Sequence, residues 1–264
     1  MKQYKGVVFF DYDGTLIDEV DGVFQIPDSA KEALQLLQKN GYATCVCSGR
    51  TKQFSEDVKE YFNGYVTAMG AYIEIDGIVV QSTLIPNEEI EKMRRICEER
   101  EIVMLMDGEE QSYCDGMDTE KYRFFQYVFG VRDHWVKPWV IGSPHRINKL
   151  TYMYRDQSDY EFLTEHFSDQ LELAKHIRYP FADATPKGID KGTGIRTLLT
   201  YLGLPAEASY GFCDGDNDMP LIRTVGTGVI MGRHYEGLEP YAAFTTGLVK
   251  DDGIYHGLRK LGLI

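Results

Sequence analysis

The succession of apolar and polar segments predicts an α/β protein, a doubly wound parallel-sheet core interrupted by an inserted α+β domain. Three observations carry that prediction. Residues 7–10, Val-Val-Phe-Phe, form an unbroken apolar run, the kind a strand needs when both of its faces are buried. Strand-like and helix-like segments then alternate over the first 80 residues, as crossover connections in a parallel sheet require. From residue 84 the character changes, and the first rhythm returns after a turn-rich boundary at Thr185-Pro186-Lys187-Gly188. The expected division is 1–83 plus 186–264 for the core and 84–185 for the insertion.

Each element has its own signal. Pro27-Asp28-Ser29 opens a helix whose apolar stripe is Ala33, Leu34, Leu36 and Leu37, with Asn40-Gly41 as the stop. Residues 42–47 read as a second strand, 52–62 as a polar helix and 66–69 as a short third strand. Asp76-Gly77 joins 72–75 and 78–80 as a hairpin. In the insertion, 87–100 is a charged helix, and 102–106 and 112–115 look like sheet strands. The aromatic-rich stretch 121–129 precedes a loop with Pro138 and Pro144. After it, 148–154, a helix around 160–167 and 171–176 continue the α+β pattern. A helix at 192–202 and strands at 210–213, 228–231 and 243–245 complete the core. Tyr122, Phe124, Phe125 and Tyr127 read as core of the insertion rather than a sugar platform; Arg123, Lys149 and Arg178 could meet a second anionic group, but charges of this kind read first as solvated.

Charge and composition remove several function classes. With 28 Lys plus Arg against 41 Asp plus Glu, the net charge is −13, the wrong sign for a protein that lives on phosphate neutralisation along nucleic acid. No apolar stretch reaches the roughly 18 residues that span a bilayer. The run at 7–10 is cut by Asp11, too short for a secretory leader, so a cytoplasmic protein is expected. Five cysteines, at 45, 47, 97, 114 and 213, include no Cys-x-x-Cys pair and argue against zinc or dithiol chemistry. Nothing points to a partner beyond a small substrate, and a monomer or weak homodimer is expected.

Four clusters fall where a parallel sheet builds its site, at the carboxyl ends of strands. Asp11-Tyr12-Asp13-Gly14-Thr15 follows the first strand. Two unpaired carboxylates so close are unfavourable unless a cation or a shared proton relieves them, although Asp-Gly is also common turn chemistry. Ser48-Gly49-Arg50 ends the second strand and offers a hydroxyl and backbone N–H groups to an anion; it also suits an ordinary loop. Lys191 begins a helix, where the dipole prefers anions, so the residue runs against propensity unless it is simply solvated. Asp214-Gly215-Asp216-Asn217-Asp218 concentrates oxygen ligands suited to a hard cation. It is no EF-hand, because Val225 stands where that loop needs Glu.

In this order the clusters resemble the haloacid dehalogenase-like phosphohydrolases. Asp11-Tyr12-Asp13-Gly14-Thr15-Leu16 resembles that family's DxDGTL signature, and Ser48, Lys191 and residues 214–218 are similar to its second, third and fourth motifs. The insertion resembles a type IIB cap on a Rossmann-like core. Residues 188–192 and the tail from Asp252-Gly253-Ile254 to Leu258 resemble the Cof-type sugar-phosphate phosphatases. Departures are Cys213 before Asp214, Met69 where the family often has Asn, and Arg233-His234 after Met231-Gly232.

The resemblance implies a Mg2+-dependent phosphatase of small phosphorylated metabolites, sugar phosphates first. Asp11 would be the nucleophile and Asp13 the general acid and base. The metal would be held by Asp11, the Asp13 main-chain carbonyl and Asp214, with Asp218 bound to it or beside it. Thr15, Ser48, Gly49, Lys191 and Asn217 would meet the phosphate. The insertion would close over the crevice and supply specificity. A phosphosugar mutase or phosphotransferase, and a catalytically silent metabolite-binding protein, are alternative uses of the same scaffold. A charge-assisted hydrogen bond to phosphate outweighs a neutral one. Lys191→Ala should therefore cost more phosphate-releasing activity than Ser48→Ala, and the reverse order in purified variants would remove Lys191 from this role.

Overall fold

A computed structural model describes residues 2–176 and 178–264. The chain forms two compact units, one of Met1–Arg50, Ser55–Gln81 and Asp190–Ile264, the other of Thr51–Phe54 and Ser82–Ile189. Among the described residues no helix is long and apolar enough to cross a membrane.

The first unit opens with β1 (Gly6–Phe10), buried at all five residues. Val8 and Phe10 face one core and Val7 and Phe9 the other, which is why the run lacks polar alternation. α1 (Asp28–Lys39) buries Ala30, Ala33, Leu34 and Leu37, spaced i, i+3, i+4 and i+7, and Leu36 is half-buried at the margin of the stripe. β2 (Tyr42–Cys47) follows. The expected polar helix is instead a 3-10 segment, Lys52–Tyr61, with Ser55 its one fully buried residue and Val58 and Tyr61 packed at the edge of the core.

β3 (Gly64–Thr67) ends sooner than the sequence suggests. Ala68 and Met69 take left-handed φ values of 50° and 57°. There the Ala68 N–H donates to the Arg50 carbonyl at 2.9 Å and the Met69 N–H to the Ser48 carbonyl at 3.1 Å. Non-glycine residues in this region cost about 1–2 kcal/mol each. β4 (Tyr72–Ile75) and β5 (Ile78–Ser82) turn at Asp76 and Gly77, both at positive φ as a tight hairpin requires.

The second unit is an antiparallel sheet with helices. It comprises α2 (Asn87–Glu98), β6 (Val103–Gly108), β7 (Ser112–Cys114), α3 (Glu120–Phe129) and β8 (Val136–Pro138), then β9 (Ile147–Met153), α4 (Gln157–Phe167), β10 (Leu171–Lys175) and β11 (Phe181–Pro186). The strand order is β10-β11-β9-β6-β7-β8. α2 and α4 pack on Met104, Met106, Leu150, Tyr152, Ala182 and Ala184. α3 packs on the opposite face, against Val103, Leu105, Met153 and Phe181. Tyr122 and Phe125 of the aromatic run join that core, whereas Phe124 and Tyr127 are exposed. β11 escapes the sequence reading because its prolines suggest a turn; Pro180 precedes the strand and Pro186 ends it, so neither interrupts its ladder. Lys149 corrects another expectation. It is buried, not solvated, and its Nζ donates to Asp183 Oδ1 at 2.7 Å and Thr151 Oγ1 at 3.0 Å and lies 3.1 Å from Asp107 Oδ2.

The chain then completes the first unit with α5 (Lys191–Leu202), β12 (Ser209–Cys213), α6 (Met219–Ile222), β13 (Thr227–Ile230), β14 (Phe244–Thr245) and α7 (Gly253–Lys260). Its sheet runs β14-β13-β12-β1-β2-β3-β4-β5, parallel from β14 to β3 and antiparallel at β4. α1 and α7 cover one face, and α5 and α6 the other. α7 is invisible to propensity because Gly253 and Gly257 weaken it. A Cβ on Gly257 would lie 2.6 Å from the Phe212 ring, so close packing requires the glycine. The connections leave β1 toward β2 on one side and meet β12 on the other, and such a reversal opens a crevice at the carboxyl ends of the strands.

Gly70 sits at φ 98°, and a Cβ there would lie 2.2 Å from the Asp190 carbonyl oxygen, just before α5. Gly70→Ala should cost about 1–3 kcal/mol and lower Tm by several degrees in calorimetry. A Tm equal to that of the parent protein would show that this approach can relax freely.

Candidate active site

The crevice collects one group from each surrounding segment. Asp11 leaves β1 with its N–H bonded to the Phe212 carbonyl at 2.9 Å, so the first residue beyond the strand is held by β12. Phe10 and Phe212 stack beneath it, ring centroids 5.3 Å apart. α5 starts at Lys191 because Asp190 caps it, accepting from the Thr193 N–H at 2.7 Å in a capping box. That start carries Lys191 into the interior. Its Nζ donates to Asp11 Oδ1 at 2.7 Å and to Asp218 Oδ1 at 2.5 Å, with no exposure of the lysine side chain. Asp218 also accepts from the Asp214 and Gly215 N–H groups at 3.2 and 3.0 Å through Oδ2. Asp214 accepts from the Thr15 hydroxyl at 3.0 Å. Gly14, at φ 81°, is what lets Asp214 approach: a Cβ there would fall 2.0 Å from its Oδ2.

One oxygen each from Asp11, Asp214 and Asp218 lies within 4.8 Å of the others. Burial first, and the charge of Asp218 next, push the Asp11 carboxyl up to about 7, against the pull of Lys191. Burial and the charges of Asp11 and Asp218 raise Asp214 well above the usual carboxylate range. Burial works against the charged form of Lys191, but Asp11 and Asp218 more than offset it and hold the ammonium well above the ordinary lysine value. One lysine does not neutralise three carboxylates. The excess negative charge, presented entirely by oxygen, fits a hard divalent cation.

The other expected residues lie around this cluster in different ways. Ser48 is buried, its N–H bonded to the Val66 carbonyl at 3.0 Å and its Oγ accepting from the Arg50 N–H at 3.1 Å; Gly49, between them, is half-buried. The Asp13 carboxylate is directed to Arg50, with Nε 2.8 Å from Oδ2 and a terminal nitrogen bonded to Oδ1. The same nitrogen reaches Glu19 at 3.1 Å. Asn217 is exposed in the 3-10 turn Asp216–Asp218. Arg50 and Glu19 were not singled out from the sequence as site residues. The available signal was local: a half-buried Asp13 needs a cation, and Arg50 ends the loop that carries Ser48. Arg233, noted as a departure, binds Asp18 at 2.6 Å and Asp21 at 2.8 Å and so ties down the turn beyond Thr15.

Carboxylates that follow β1 and β12 and a lysine from α5 gather at the carboxyl edge of a doubly wound sheet, the edge where α/β proteins of this class build their ligand sites. Residues 8–258 match the model of the haloacid dehalogenase-like hydrolases, and the chain belongs to that family. It is similar over 98% of its length to the protein YkrA of Bacillus subtilis (strain 168), which bears a phosphatase name, at 26% identity and over 98% of that protein. A protein of Geobacillus kaustophilus HTA426 superposes with a TM-score of 0.86 at 26% identity, over 98% of this chain and 99% of that one. The subclass IIB sugar phosphatase BT4131 gives 0.80 at 27% identity, over 98% and 100%. The chain is thus an enzyme of the phosphatase type.

The charge excess has a measurable consequence. Because Asp11 holds its proton more tightly in the folded state, its contribution to stability is fully present below the ordinary carboxylate range and is lost as pH rises through about 7. Asp115, raised to about 6 by burial, adds to the same slope. The Tm of metal-free protein in EDTA should fall between about pH 5 and about pH 8, and Mg2+ should reduce that fall. A decline identical with and without Mg2+ would detach the cluster from any cation.

Proposed function

We propose that the protein hydrolyses phosphate monoesters of small metabolites, sugar phosphates first, with Mg2+ and through an aspartyl-phosphate on Asp11. The observation that carries this reading is Lys191 Nζ bonded to both Asp11 and Asp218 within a cluster that includes Asp214. Likeness to a sugar phosphatase supports the substrate class. Five buried, free cysteines support a cytoplasmic setting.

Asp11, Asp214 and Asp218, with the Asp13 carbonyl, would hold the cation, which when bound supplies positive charge opposite the phosphoryl oxygens. Asp11 attacks phosphorus as a carboxylate; the bond to the ester oxygen breaks, and Asp13 gives that oxygen its proton, so the alcohol leaves. Asp13 then takes a proton from water as the water oxygen attacks phosphorus. The aspartyl bond breaks, returning Asp11 and releasing phosphate. Lys191 balances the charge where two anions meet, and Thr15, Ser48, Gly49 and Asn217 offer neutral donors. A hydroxyl such as Ser48's can accept from the Arg50 N–H and still donate its own proton. The second unit, in this reading, supplies the contacts that choose the leaving group.

Phosphate release from a panel of small esters tests the reading, with Mg2+ or EDTA and with Asp11→Asn alongside. Release that requires Mg2+ and falls by at least about 10³-fold in the variant is expected. Turnover only with an added sugar bisphosphate would move the assignment to a mutase. A folded, Mg2+-loaded protein that turns over no ester would leave a silent binder.

A further inference from the structure

The geometry points to Arg50 as a positioning residue for Asp13, the group to which the proposed mechanism gives both proton transfers. This inference rests on that reading of Asp13.

Arg50 is fixed at both ends. Its N–H is bonded to Ser48 Oγ at 3.1 Å, and its carbonyl accepts from the Ala68 N–H at 2.9 Å. The second contact exists only because Ala68 and its neighbour adopt left-handed backbone that neither side chain favours. At the far end the guanidinium grips both oxygens of Asp13, while one of its nitrogens also binds Glu19. The arginine side chain is 13% exposed and that of Asp13 36%, so the guanidinium is withdrawn from solvent while the carboxylate stays partly open.

A two-pronged contact does what a single hydrogen bond does not: it sets the plane of the carboxylate as well as its distance. Asp13 lies two residues beyond the nucleophile in a turn, on a side chain with two free torsions. For one group to give a proton to the leaving oxygen and then take one from water, it must occupy the same place in both half-reactions. Each carboxylate oxygen held by the guanidinium keeps a lone pair for that purpose. A lysine, as a point charge, would leave the plane free to rotate.

The test is a kinetic double-mutant cycle on the best ester from the panel, with Arg50→Ala, Arg50→Lys, Asp13→Asn and the double variant Arg50→Ala/Asp13→Asn. Arg50→Ala should lower kcat on the order of 10²-fold with KM changed by less than about threefold. Arg50→Lys, which keeps the buried charge and so guards against a simple folding defect, should still lose about tenfold or more. Guanidinium ion in the buffer should restore part of the Arg50→Ala activity. In the Asp13→Asn background Arg50→Ala should cost nothing further, a coupling that a merely structural role would not produce. Multiplicative losses in the double variant, or a raised KM with kcat intact, would overturn the inference and put Arg50 against the substrate itself. An active parent with Arg50→Ala equally active would defeat the role of Arg50 alone. A parent that releases no phosphate would defeat the function on which the inference rests.

Discussion

Three carboxylates crowded around one buried ammonium govern the carboxyl edge of the first unit. Asp11, Asp214 and Asp218 arrive from two strands and a turn, and Lys191 arrives from a helix whose own dipole opposes a cation at that end. Left alone, such a group repels itself. The lysine removes part of the repulsion, and the rest appears as the raised affinity of Asp11 and Asp214 for protons. That excess of negative charge, presented by oxygen alone, is of the kind a hard divalent cation would relieve.

The backbone around the cluster is shaped to allow this crowding. Gly14 has no Cβ because Asp214 occupies the space, and Gly70 has none because the Asp190 carbonyl lies there, at the start of α5. Ala68 and Met69 accept unfavourable torsions so that their N–H groups reach the carbonyls of Arg50 and Ser48. Strain of this kind persists only where surrounding contacts over-determine it; Asp76, Glu101 and Asp252 carry it elsewhere, at turns and helix ends. The second unit solves a separate problem: Lys149, Asp107 and Asp183 form a buried ionic group across its sheet, stable because each charge has a partner.

Much of this was legible before any coordinates. Both-faced burial wrote β1 as an unbroken apolar run, and the stripe Ala33, Leu34, Leu36 and Leu37 marked the buried face of α1 apart from Ala30, with Leu36 at its margin. Chemistry was legible too, because carboxylates, a lysine and glycines recur at spacings that few stable folds would keep without a use. What propensity could not show were elements made by context. α7 depends on two glycines that only close packing explains, and β11 is bounded by prolines that read as turns.

The sequence alone determined the fold class, most of the elements and the acidic and lysine groups expected at the carboxyl edge of the sheet, because those depend on periodicity and local chemistry. Tertiary structure decided which side chains hold which. Lys191 bonding Asp11 across 180 residues, Thr15 bonding Asp214 across 199, and Arg50 turning the Asp13 carboxylate toward itself are long-range pairings. They are set by how strands and helices pack, and residues distant along the chain carry no local mark of the partner they will meet.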